Sequence, residues 1–354
     1  MSNRLFFIMA ALVVLSSTLI SCSRDDVLAV APHDREQKTP ISFNVNIGLL
    51  PVPEISTRGK TISYARNSGY TFSDGDCLCV AITGTGSPRT ATEEKKLYNY
   101  NSSSEKWEYA SGGTNNYEYQ WYNETESVTL RAWSFGNSTT TETEPSGQLF
   151  AVSQTQDSDP DINELLYLKP SARSFAENNG EVAIPLRHQM ARIVVNITRE
   201  GTSGATVSSV KIGDDSDGNR IPIKGTFTPP SATDYGTWAT VAYSLENAVH
   251  YGVIAAKQET AEPNNEYTYS AVVIPAGTNR YTAGMKLINI KLGTGDAAEA
   301  FSYFIPAGGI TLKAGMQYNY NITVKNQAIS VTGCTITDWG NGTNGGTVTI
   351  NTLQ

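Results

Sequence analysis

Histidine is scarce in this chain of 354 residues, which has three: His33, His188 and His250. Zinc sites and acid–base sites need several convergent partners, so three scattered histidines leave little material for either. Cysteine numbers four. No run longer than about ten residues keeps a helical period. No basic run stands out and the formal net charge is −8, which removes the electrostatic footprint of a nucleic-acid binder. The nucleophile elbow, the H-E-x-x-H helix and the phosphate loop are all missing. Paired carboxylates fall only in turn-like segments. Catalysis, a metal and a cofactor are therefore not expected.

What remains is an all-β pattern. Gly, Tyr, Thr, Ser and Asn are frequent, and short alternating runs are bounded by turn residues. The length accommodates two domains of ordinary size, each with its own core. The expected division is 40–178 and 179–354, with the polar gap Ala176-Glu177-Asn178-Asn179-Gly180 between them.

The start of the chain is of another kind. Arg4 precedes an apolar run, Leu5 to Ile20, followed by Ser21-Cys22. A positive start, a short apolar run and a small residue make a secretory signal, here residues 1–21. The run is too short to span a bilayer comfortably. Leu19-Ile20-Ser21-Cys22 resembles a lipobox, which makes Cys22 the expected lipidation site and the outer membrane its partner. Acyl chains there would anchor the protein at about 0.8 kcal/mol per buried CH₂ group. Ser23-Arg24-Asp25-Asp26 resembles the tag that sends such lipoproteins to the outer face of the outer membrane. Residues 22–58 then read as a tether and a first strand.

The remaining cysteines are Cys77, Cys79 and Cys334. Cys77 and Cys79 are two apart, so on a strand their sulfurs share a face. That suits small buried hydrophobes and places them badly for a mutual disulfide. A bridge from either to Cys334 would have to join the two domains.

The cleanest half-buried strand is Ile41-x-Phe43-x-Val45-x-Ile47, with polar residues between. Pro51-Val52-Pro53 ends it. Next comes Ile55-Ser56-Thr57-Arg58-Gly59, an arginine in a polar, proline-flanked loop. It is either a solvated surface residue or a site open to a protease. Cys77 to Ile82 is a buried strand entered through the turn Ser73-Asp74-Gly75-Asp76. Tyr98, Tyr100, Trp107 and Tyr109 alternate around Asn101-Ser102-Ser103-Ser104, a hairpin. Tyr117, Tyr119 and Trp121 follow. These aromatics either pack across strands or stack on sugars. Asp157-Ser158-Asp159-Pro160-Asp161 lacks the glycine and the spacing of a Ca²⁺ loop and reads as solvated. Asp214 to Gly218 reads as a hairpin turn.

Val182 to Ile197 lies near the midpoint. After Pro185, its apolar residues Ile193, Val195 and Ile197 alternate as a strand with one buried face. The plain role for His188 here is a half-buried ring hydrogen-bonded to a neighbouring strand. Further on, two strands end in the same tetrapeptide, Ile274-Pro275-Ala276-Gly277 and Ile305-Pro306-Ala307-Gly308. Proline removes a ladder donor and glycine permits the turn. Tyr318, Tyr320, Ile322 and Val324 form a late alternating strand. Gly340 to Gly346 is a flexible spacer leading to Thr347-Val348-Thr349-Ile350. On such an arm that strand either packs on its own domain or adds to another chain.

Four patterns together resemble the fimbrillin family over about residues 40–354. They are F-x-x-G-D at Phe72–Asp76, H-x-x-A-x-I-x-V at His188–Val195, A-G-x-x-Y-x-Y-x-I-x-V at Ala314–Val324, and Asp338-Trp339-Gly340. The family comprises surface lipoproteins and type V pilus subunits. The resemblance implies two transthyretin-like, Greek-key β-sandwich domains, the second opening at Val182–Ile197. It implies an arginine-specific protease cutting between Arg58 and Gly59. It implies loss of the first strand as a propeptide, and its replacement by a strand from another copy or a related pilin. Val348 and Ile350 are the candidate donor-strand residues. The expected place is the cell surface, within a fimbrium. The competing expectation is a standing surface lipoprotein that binds a glycan or host protein through its aromatics.

Overall fold

In a computed structural model, described residues are 38–47, 72–114, 116–135, 140–158, 163–177, 179–200, 206–216, 218–244, 246–262, 266–294, 299–325, 328–339 and 344–348. The fold is all-β, with no α-helix among these residues. Its layers are β-sandwich layers.

The first half is built on a seven-stranded sheet. In spatial order its strands are Ser42–Ile47, Glu181–His188, Leu165–Ser174, Ser127–Phe135, Cys77–Gly84, Glu94–Asn101 and Lys106–Gly112. Cys77–Gly84 explains why the sequence there is continuously apolar. Leu78, Val80 and Ile82 enter one core, while Cys79 and Ala81 on the opposite face enter another. A strand buried on both faces loses the alternation of a half-solvated one. The sheet folds over itself. The Phe43 ring on one edge strand lies 5.0 Å from the Tyr98 ring on the sixth strand. Tyr98, Tyr119 and Trp121 fill the space between, each at most 1% exposed.

The second half is a sandwich of two sheets. The six-stranded sheet runs Lys257–Glu262, Glu266–Val273, Ala191–Glu200, Met316–Lys325, Ala328–Asp338, Asn344–Val348. The four-stranded sheet runs Ile254–Ala255, Val207–Ile212, Lys286–Leu292, Glu299–Phe304. Ile193, Val195 and Ile322 from the first meet Val210, Ile288 and Ile290 from the second in one core. The rings of Tyr303 and Tyr320 join the layers at 5.4 Å.

The midpoint stretch is divided between the halves. Glu181–His188 belongs to the seven-stranded sheet, and Ala191–Glu200 belongs to the six-stranded one. Gln189 and Met190 make the passage. The Gln189 N–H donates to the Leu165 carbonyl at 2.7 Å, and the Met190 carbonyl accepts from Gly315 N–H at 2.8 Å. A first-half segment also reaches into the second half. Leu149–Ala151 pairs with Lys224–Thr228. Beyond it, the buried Gln156 amide donates to the Val272 carbonyl at 2.9 Å and accepts from Val272 N–H at 2.8 Å.

Candidate functional site

The first strand lies in a groove with two walls. Ser42–Ile47 runs parallel to Glu181–His188, with Ser42 opposite Glu181 and Ile47 opposite Leu186. Just before it, Thr39–Pro40 pairs antiparallel with Gln120–Trp121, and Ile41 N–H donates to the Tyr119 carbonyl at 2.8 Å. One extended segment therefore clasps two separate edges. Its alternation decides which face enters. Phe43, Val45 and Ile47 pack on the core, while Ser42 and Asn44 are exposed. Ile41 is the deepest, at 2% exposure. Full burial of such a side chain contributes about 1.5–3 kcal/mol. Val182, Ile184 and Leu186 form the floor, each at most 1% exposed. Trp121 closes one end. Its indole N–H donates to the Gly180 carbonyl at 2.7 Å, and its ring meets Phe175 edge-on at 6.1 Å.

Beside the groove lies a cation–aromatic box. Lys96 is 1% exposed. Its ammonium donates to the Tyr117 carbonyl at 2.6 Å and sits 4.8 and 4.9 Å from the Tyr117 and Tyr119 ring centres. Such contacts hold a desolvated cation. Arg89 pairs with Glu126 at 2.8 Å and donates to the Gln120 carbonyl at 2.6 Å. Burial, the main cause, raises the Tyr119 and Tyr98 phenols well above their ordinary range. Lys38, just before the first strand, places its ammonium 5.0 Å from the Tyr122 ring centre. Nothing in the sequence marked Lys96 as buried, because Glu93-Glu94-Lys95-Lys96 reads as a solvated run.

Cys22, Arg58, Gly59 and Ile350 lie outside the described residues. Arg58 falls between the first strand and the strand Cys77–Gly84 in sequence. Val348 is the last residue of Asn344–Val348, the edge strand of the six-stranded sheet, and lies opposite Cys334. Cys77, Cys79 and Cys334 are free and buried. Burial pushes the Cys334 thiol up to about 11, away from the thiolate that redox chemistry requires.

His188 is fully buried rather than half-buried. Its ring stacks on Trp339 at 4.2 Å and 3°, and its Nδ1 meets the Glu164 carboxylate. Burial, and then the nearby Arg192 charge, hold its imidazole well below the usual 6.5. The neutral ring is thus favoured, with Nδ1 hydrogen-bonded to Glu164.

Of the aromatics offered as a sugar platform, Tyr98, Tyr119 and Trp121 are buried. Trp107 packs edge-on against Phe72 at 4.8 Å. Tyr117 is 41% exposed.

Comparison with known proteins agrees with this architecture. The fimbrillin-like family model matches residues 57–339. A candidate cell adhesion protein from Bacteroides uniformis is 16% identical with a TM-score of 0.52, covering 85% of this chain and 99% of that one. Another from Bacteroides ovatus is 18% identical with a TM-score of 0.53, covering 85% of this chain and 98% of that one. These likenesses are of fold. No curated protein matches the chain.

Proposed function

The chain belongs to the fimbrillin-like family, and from that premise we propose that it is a structural subunit of a surface fimbria supporting adhesion. It is exported as a lipoprotein precursor acylated at Cys22 and reaches the outer membrane. An arginine-specific protease cuts between Arg58 and Gly59. The freed first strand leaves, and a strand from another subunit takes its place. The two halves are read as two β-sandwich domains, 40–178 and 179–354, with Glu181–His188 lent to the first.

The observation that carries this reading is the clasp. The residues ahead of Arg58 supply an edge strand whose apolar face completes the first-half core. Its loss opens a ready-made groove with unpaired backbone on both walls, which is what strand addition needs. Arg58→Ala precursor should stay monomeric where the unaltered chain forms a ladder of SDS-resistant oligomers. Equal ladders from both would sink the proposal.

A further inference from the structure

We infer that the folded part of this chain is closed to an arginine-specific protease by where its arginines stand, while it stays open to a lysine-specific one. This rests on the reading of Arg58 as a processing site and concerns what keeps that processing confined.

Arg4, Arg24, Arg35, Arg58 and Arg66 precede Phe72, and eight more arginines lie among the described residues. None of those eight is exposed. By contrast, Lys38, Lys106, Lys211, Lys291, Lys313 and Lys325 are all exposed. A guanidinium presents its donors as a planar fork suited to partly buried ion pairs, whereas an ammonium is strongly hydrated. Cleavage needs a side chain free to enter the enzyme and a stretch of backbone released from its hydrogen bonds. Five arginines deny both, because they stand inside paired strands. Arg131 is opposite Ala81, Arg173 opposite Val128 and Arg187 opposite Tyr167. Arg192 and Arg199 are opposite Gln317 and Val324. The other three lie in loops, and each is shielded on both counts. Arg89 pairs with Glu126, and its carbonyl packs so closely on Gly84 that a Cβ there would stand 2.3 Å from the oxygen. Arg280 donates to the Thr240 hydroxyl and carbonyl, each at 2.9 Å, and the next residue, Tyr281, is fully buried. Arg220 is half-buried and leads straight into Ile221, which is fully buried and paired with Gly252. Lys106 is the opposite case. It is exposed, it opens the edge strand Lys106–Gly112, and it follows the turn at 102–105.

The test digests the folded full chain with two endoproteases, one cutting only after arginine and one only after lysine. The two are matched in activity on an unfolded substrate, and the cuts are placed by mass. The lysine enzyme should cut after Lys106. The arginine enzyme should cut after Arg89, Arg220 and Arg280 at least about tenfold more slowly, since such cleavage waits on local opening. Lys106→Arg should move the fast cut at that position to the arginine enzyme. A cut after any of the eight arginines as fast as that after Lys106 would overturn the inference and leave Arg58 processing standing. A Lys106→Arg chain left whole by the arginine enzyme would also overturn it. So would a chain that the lysine enzyme cannot cut beyond Phe72, because the closure would then be general. Cuts ahead of Phe72 bear on Arg58 alone: their absence would sink the processing reading and leave this inference standing.

Discussion

Ser42–Ile47 keeps register with its neighbour through six residues, parallel and without a break. Asn344–Val348 runs antiparallel to its own neighbour and loses register between Ile336 and Thr337. Both are edge strands. The first places three apolar side chains on the core and follows a residue buried to 2%. The second includes Gly345 and Gly346. An edge held by side chains leaves a specific groove when it goes, and the first strand is such an edge.

The largest expected effect is at the groove. Trp121→Ala removes a fully buried ring and its hydrogen bond, and should cost about 3–5 kcal/mol in a urea titration. A loss below about 1 kcal/mol would mean that the groove collapses onto the gap. Ile41→Ala comes next, at about 2–4 kcal/mol on the intact precursor. After loss of the first strand the same substitution should have no effect, which ties the contribution to the clasp.

A pH titration sharpens the groove side. His188 is neutral when folded, with its proton affinity depressed. The unfolded chain therefore binds an extra proton as pH falls through about 6.5. Stability should be flat above that pH and fall below it, by up to about 1.4 kcal/mol per pH unit. His188→Gln should remove this part of the slope. An unchanged slope would show that other groups carry it. The smallest effect belongs to the other edge. Thr347→Pro should cost under about 1 kcal/mol, since an edge strand tolerates a lost donor. A cost equal to that of Ile41→Ala would break the comparison.

The groove was half legible in the sequence. Ile41, Phe43, Val45 and Ile47 announce a one-sided strand by their spacing alone. Their partner did not, because Pro185 reads as a break, whereas it stands within Glu181–His188 opposite Asn46. The burial of Lys96 depends on Tyr109, Tyr117 and Tyr119 converging from beyond the next turn, which no local pattern encodes. Gln156 meets Val272 across 116 residues. Its burial is a product of the second half docking on the first. The late alternating strand was plain, since Met316–Lys325 follows its own local period, and so were the two I-P-A-G endings, where proline and glycine follow Glu266–Val273 and Glu299–Phe304.

The most direct test is the N-terminal sequence and mass of the protein taken from its own cell surface. The account predicts a chain beginning at Gly59, without the clasp strand. A chain beginning at acylated Cys22, with Ser42–Ile47 retained, would contradict it and leave a standing lipoprotein.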